Sequence, residues 1–153
     1  MYAKVVSLSS ELPPRAKMGE VYARATFRGP SGHRAAMRLL VDTGSTYTWI
    51  PASLARELGV RPLEVGTFYL ANRRRIRRRI GEVEIEVAGR RGTRFVVFAG
   101  RRDANLIGVD TLEGLLLTVD PVGHRLRRRK GAWALSPRAG AVVPIRPRRS
   151  RAA

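Results

Sequence analysis

One stretch constrains the fold more than any other: L-L-V-D-T-G-S-T-Y-T-W-I-P, residues 39 to 51. Three apolar residues run into Asp42, a Thr-Gly-Ser turn follows, and a second apolar run begins almost at once. This is the pattern of a buried strand that ends in a tight turn flanked by apolar runs on both sides, with one carboxylate at its lip. Burying a carboxylate is costly unless something compensates for it, so Asp42 needs a chemical reason to be there. Gly44 permits a tight backbone and leaves N–H groups free to approach the carboxylate. Thr43 and Ser45 add hydroxyls that can hold it in place. The plainer alternatives are an Asp that caps the turn or one that binds a metal.

The rest of the chain reads mostly as strands. Residues 20–28 alternate with period two, placing Val21, Ala23, Ala25 and Phe27 on one side. G-P-S-G-H at 29–33 turns them into A-A-M-R-L-L-V, a second strand that delivers Asp42. Pro51 to Gly59 reads as a short helix, with Leu54 and Leu58 four apart. Strands follow at 82–88 and 93–99, joined by a turn at G-R-R-G, 89–92. Ile76 and Ile80 have the opposite parity to Val83, Ile85 and Val87, which predicts a bulge or bend at Gly81. N-L-I-G at 105–108 is a short buried strand, 109–115 a second short helix, and 116–126 a final hairpin. The fold class is mainly β, closed or strongly curved, with one or two short helices.

Composition narrows the function classes. A chain of 153 residues with a 44% hydrophobic fraction suits one domain with a real core. No apolar run reaches membrane-spanning length, so no membrane partner is expected. The N-terminus lacks a positive segment followed by a long apolar run, and it reads as having no signal peptide. With no cysteine, thiolate metal sites and Cys nucleophiles are excluded, and a reducing cytoplasm fits. His33 and His124 sit beside glycines in expected turns; they are too few for a metal site, and no cofactor is implied. The net charge of +18 sits in two places. Residues 127–153 carry nine Lys and Arg and no acid, and R-R-R-I-R-R-R at 73–79 carries six arginines. Either both runs are simply solvated, or they attract nucleic acid, anionic membrane or acidic substrates. The tail, rich in Pro, Gly, Ala and Arg, is expected to be flexible, with Trp133 and the Val142–Ile145 patch able to dock.

L-V-D-T-G-S-T-Y-T-W-I-P resembles the active-site loop of aspartic proteases, in the single-copy form of the retroviral-type branch and its bacterial and archaeal relatives. L-I-G-V-D-T-L, 106–112, resembles the second signature of that family, in which Leu106, Ile107 and Gly108 precede a short helix. Leu58-Gly59-Val60, R-I-G-E-V-E-I-E-V-A-G at 79–89 and L-T-V-D-P at 117–121 also fit in order. The resemblance implies a closed retropepsin-like acid-protease barrel over residues 18–126, with residues 1–17 and 127–153 as extensions. It implies hydrolysis of peptide or protein substrates by two facing carboxylates with one water between them. Like charges that close share one proton, so one carboxylate activates the water while the other protonates or hydrogen-bonds the scissile carbonyl. The chain has only one D-T-G, so the resemblance implies a homodimer in which Asp42 of each copy meets on the axis. Asp110, in the recurring V-D-T of 109–111, is rejected as the second carboxylate: Leu112 stands where Gly would be needed, and Asp110 opens an expected helix. Asp103 and Asp120 read as solvent-facing or capping.

By the same resemblance, residues 66–79 form the flap over the substrate, with Phe68, Tyr69, Leu70, Ala71, Asn72 and Arg73 as flap or substrate-binding residues. Asn72 suits the turn because it tolerates positive φ. Arg73 stands where relatives usually carry Gly at the tip, and its neighbours would give the cleft roof a positive charge. Two readings of these arginines stay open: a roof that prefers acidic substrate residues, or side chains pointing to solvent. The competing function is a catalytically silent domain of the same fold that binds nucleic acid or another anionic partner through its Arg clusters, basic tail included.

Overall fold

A computed structural model of the chain describes residues 19–130 and the backbone of Val5 and Val6. The expected flexibility of residues 131–153, with Trp133 and Val142–Ile145, lies outside the described residues.

The first hairpin forms as its alternation dictates. β2 (Tyr22–Arg28) pairs antiparallel with β3 (Arg34–Val41), in register from Tyr22↔Leu40 to Arg28↔Arg34. Val21, Ala25 and Phe27 are buried on one face, as period-two spacing requires. β1 (Val5–Val6) adds to β3 in parallel, so residues 1–17, for which the sequence leaves open a flexible arm, a dimer strand or a misassigned start, supply one short strand that pairs within the chain. After the turn at Asp42, β4 (Thr48–Pro51) runs into α1 (Ala52–Glu57). Leu54 and Leu58 bury the inner stripe of α1, and Gly59 ends it in the left-handed region at φ 73°.

A long hairpin follows, made of β5 (Pro62–Tyr69) and β6 (Arg75–Val87). The parity change along β6 is real, but no bulge interrupts that strand. Its register with β7 (Arg90–Ala99) is continuous from Ile80↔Val97 to Val87↔Arg90. The strand is instead buried on both faces in succession. Val83, Ile85 and Val87 join the main core with Phe27, Ile50 and Leu54. Ile80, flanked by Ile76, joins a second cluster with Trp49, Val97 and Leu106. β7 divides the same way, sending Val96 and Phe98 to the first cluster and Val97 and Ala99 to the second. The irregularity lies in β5, between Pro62 and Glu64, opposite Gly81. Gly81 itself is required by close approach: a Cβ there would come within 2.7 Å of the Arg61 carbonyl oxygen. The turn expected at 89–92 is also tighter than read. Val87 pairs Arg90 across Ala88 and Gly89 alone, both at positive φ (50° and 72°), the two-residue turn that matches strand twist.

β8 (Leu106–Ile107) pairs with both β4 and β3, and α2 (Val109–Gly114) follows it. Among the described residues the eight-stranded sheet runs β1-β3-β2-β6-β7-β4-β8, with β5 on β6 and a further β3–β8 pairing that returns the path to β3. The molecule is therefore mainly β with two short helices. β9 (Leu117–Asp120) and β10 (Arg125–Arg128) form a separate hairpin, whose Leu117, Val119 and Leu126 cover the main core. No helix among the described residues is long and apolar enough to cross a membrane.

Candidate active site

Asp42 emerges where β3 ends, and its backbone is fixed from two sides. Its N–H donates to the Ile107 carbonyl at 3.0 Å, and its carbonyl accepts the Ser45 N–H at 3.2 Å. The carboxylate is held by the loop backbone: the Gly44 N–H donates to Oδ1 at 2.9 Å. A Cβ on Gly44 would lie 3.2 Å from that oxygen, a close contact that would push the carboxylate by a few tenths of an ångström. The expected hydroxyl support is not what the loop uses. Ser45 Oγ donates to the Tyr47 carbonyl at 3.0 Å, and Thr43 is exposed. A backbone amide two residues on reaches the carboxylate without distorting the turn, whereas the Ser45 side chain closes the next one. Asp42 is half-buried, and Thr43 and Gly44 face outward beside it.

The loop is stitched to the start of α2. Val109 and Asp110 N–H groups donate to the Ser45 and Thr46 carbonyls at 2.8 and 2.9 Å. Gly108 makes this approach feasible, because a Cβ there would collide with the Tyr47 carbonyl. Beneath the loop, Thr48 and Thr111 share a hydroxyl–hydroxyl bond of 2.7 Å, and the Gly108 N–H donates to Thr48 Oγ1 at 3.2 Å. Both threonines are fully buried. Sequence reasoning missed this pair; the signal was a Thr in each of two apolar signatures. Leu106 and Ile107 bury their side chains on either side of β8, one in each core cluster. Asp110 is not the helix cap; Gly108 occupies that position, and Asp110 lies in the first turn, 4.0 Å from Arg94.

The β5–β6 hairpin roofs the cleft in front of Asp42. Its tip closes with Arg73 N–H to the Leu70 carbonyl (2.8 Å) and Leu70 N–H to the Arg74 carbonyl (2.9 Å). Positive φ falls on Arg73 (63°), not on Asn72; the Asn72 side chain instead accepts the Arg74 N–H at 3.1 Å. A left-handed Arg costs roughly 1–2 kcal/mol, a strain that Gly would relieve. Phe68 packs edge-on against Trp49, ring centroids 4.9 Å apart. Phe68, Tyr69, Leu70 and Ala71 line the cleft, while Asn72 and Arg73 stand at the tip beyond that lining. The cleft has a volume of 720 Å³.

No arginine of the run lines the cleft. Arg75, Arg77 and Arg79 are exposed, and they share their face with Tyr69, Thr67 and Val65 of β5. Arg78 has the parity of Ile76 and Ile80 and turns inward, where it binds Asp103 through two nitrogens. Asp103 was expected to be solvent-facing or capping. Its side chain is only 9% exposed, and besides Arg78 it accepts the Gly100 N–H at 2.7 Å. The Arg78 hydrogen bond is the main reason its carboxyl is held below the usual carboxylate range, against the opposing effect of burial. Asp120 behaves as expected of a turn residue, accepting the Gly123 N–H at 2.9 Å.

No group of His, Asp and Glu among the described residues could hold a metal ion. His33 and His124 are exposed in turns. A family model described as aspartyl protease matches residues 23–111, more than half of the chain, from β2 into α2. The match spans the Asp42 loop, the roof and the Asp103 wall. No curated protein matches the chain.

Proposed function

The chain belongs to the aspartyl protease family, and from that premise we propose that it is an aspartic endopeptidase working as a homodimer, with Asp42 of each copy meeting on the twofold axis. The observation that carries the reading is the Asp42 loop: a carboxylate bound by a backbone N–H, at the floor of a roofed cleft, with exposed Thr43 and Gly44 beside it. Peptide hydrolysis by this chemistry needs two carboxylates and one water. Among the described residues lining the cleft the other carboxylate is Asp103, which Arg78 already occupies. A second copy supplies the missing group most simply, and exposed loop residues are what such an axis would bury.

In this reading, one Asp42 takes a proton from the water as its oxygen attacks the scissile carbonyl. The protonated partner donates its proton to the carbonyl oxygen, giving a neutral tetrahedral diol. Collapse returns a proton to the leaving nitrogen and breaks the C–N bond. Gly44 and Ser45 hold the loop, Thr43 faces outward beside Asp42, and Leu106, Ile107 and Gly108 brace the loop from beneath. The roof strands lay the peptide as an added strand and exclude water. Several finer points belong to the same proposal: the retroviral-type branch, a protease unit over residues 18–126, and a closed barrel, supported by the return of the strand path to β3. A cytoplasmic setting is proposed from the absence of cysteine.

The test is cleavage of a mixed peptide library between pH 3 and 8 by wild type and Asp42→Ala, at matched high concentration, with mass measured by sedimentation. Cleavage by a dimer that disappears in the variant is expected. A folded, dimeric wild type that cuts nothing, or a variant that still cuts, would overturn the proposal.

A further inference from the structure

The cleft wall carries a cation that the proposed chemistry does not use. Arg102 and Asp103 are neighbours in the loop between β7 and β8, and both line the cleft that holds Asp42. Adjacent opposite charges on a loop would ordinarily neutralise each other. Here Asp103 is drawn to the roof instead. Arg78 Nη2 donates to Oδ1 at 3.1 Å, while Arg78 Nε and the Gly100 N–H donate to Oδ2 at 2.5 and 2.7 Å. With three donors around it, Asp103 has its charge answered away from Arg102. Among the described residues no carboxylate pairs with Arg102, and its side chain is exposed. The nearby lining is aromatic and aliphatic, with Tyr47, Trp49, Phe68, Leu70 and Leu106. A charge beside such a surface is screened less than one in open water.

We propose that Arg102 is a specificity-determining residue that recognises an Asp or Glu side chain of the peptide substrate, an inference that rests on the aspartic-protease reading above. The six arginines of the roof cannot take this part. None of them lines the cleft: Arg75, Arg77 and Arg79 are exposed beside it, Arg73 and Arg74 stand at the tip, and Arg78 is held by Asp103. The Arg78–Asp103 pair is half of the device. A free Asp103 would neutralise Arg102 and repel an acidic substrate; tied to Arg78, it does neither. In a twofold dimer the wall occurs twice. The preference therefore falls at two positions equally far from the scissile bond, one on each side.

An acid scan tests this. A peptide cut by the wild type is remade with Glu or Gln at each position flanking the scissile bond. kcat/KM is then measured for every Glu/Gln pair with wild type, Arg102→Gln, Arg102→Glu and the exposed control Arg77→Gln. Wild type is expected to favour Glu roughly tenfold at two symmetric positions, the scale of a charge-assisted hydrogen bond. Arg102→Gln brings that ratio to about one, Arg102→Glu inverts it, and Arg77→Gln keeps the wild-type value. A wild-type ratio near one at every position, or a preference that survives Arg102→Gln, overturns the assignment while leaving the protease reading intact. Cleavage that persists in Asp42→Ala, or no cleavage of any peptide, overturns both.

Discussion

The floor and the roof of the cleft are held by different means. The floor is backbone: Asp42, Ser45 and Thr46 are tied to Ile107, Val109 and Asp110 by main-chain hydrogen bonds over a buried Thr48–Thr111 pair. The roof is held by side chains: Phe68 and Ile76 pack on the second core cluster, Phe68 edge-on to Trp49, and Arg78 pairs with Asp103. The β5–β6 tip makes only local bonds. A floor built this way fixes where a reacting carboxylate stands, because moving it breaks several main-chain bonds together. A roof built this way depends on side-chain packing and one ion pair, not on main-chain bonds to the floor. On the proposed reading the difference separates chemistry from admission, and each can be attacked alone.

The largest effect is expected at the floor. Asp42→Asn keeps the Gly44 N–H contact through an amide oxygen, so the melting temperature should stay near wild type. Peptide cleavage should fall by ~10⁴-fold, the upper end for a general base. If the site is shared across an axis, an equal mixture of wild type and Asp42→Asn, dissociated and re-formed, should retain about a quarter of the activity, the share of all-wild-type dimers under random pairing. Half the activity would instead mean that each copy works alone.

Breaking the stitch beneath the floor comes next. Gly108→Ala forces a Cβ against the Tyr47 carbonyl and should cost about 3 kcal/mol, the high side for overpacking. Thr111→Val removes the partner of a fully buried hydroxyl and should cost ~1–3 kcal/mol. Chemical denaturation measures both. A change under about 0.5 kcal/mol in Thr111→Val would show that the hydroxyl pair does not brace the loop.

How much of this was legible follows the same division. D-T-G-S and L-I-G are contiguous signals, so the floor could be placed from the sequence, as could the β2–β3 hairpin and both helices. The Thr48–Thr111 bond joins residues 63 apart, and nothing local announces it. Gly81 misled because parity reports which residues share a face, not how many cores a strand meets. β6 crosses from one cluster to the other, so opposite parities are both buried with no residue inserted in β6, and the irregularity falls on β5 opposite Gly81. In the arginine run, Arg78 shares the parity of Ile76 and Ile80, a signal for an inward side chain that the sequence reading did not use. Its partner lies in a loop 25 residues on, and only the folded register brings the two together.

The roof should answer more gently and with a pH signature. Asp103→Asn leaves Arg78 without its ion pair and should raise KM roughly 3- to 10-fold with kcat little changed, the worth of one or two net hydrogen bonds. Folding lowers the Asp103 pKa, chiefly through Arg78. The pair's stabilisation is therefore complete above the unfolded carboxylate value of about 3.9 and is lost as pH falls through the folded one. Wild type and Asp103→Asn should accordingly differ in KM at pH 6 and converge well below pH 4. A KM difference that stays constant across that range would mean the effect comes from the Gly100 turn, not from the ion pair.

The smallest effect is expected at the roof's exposed arginines. Arg75, Arg77 and Arg79 are exposed, and no acidic partner among the described residues pairs with them. Exchanging all three for Gln removes three positive charges while leaving Ile76, Arg78 and Ile80 in place. Stability should change by less than about 0.5 kcal/mol per site, as for surface residues without specific partners. kcat/KM on a neutral peptide should stay within about threefold, since these charges are exposed, lie outside the cleft lining and meet no charge on such a peptide. Kinetics at low and at physiological salt decide it. A large loss confined to low salt would mean these arginines steer substrate from a distance. A large loss at both would mean that the two faces of the hairpin are not independent, and the division between a fixed floor and a side-chain-held roof would have to be redrawn.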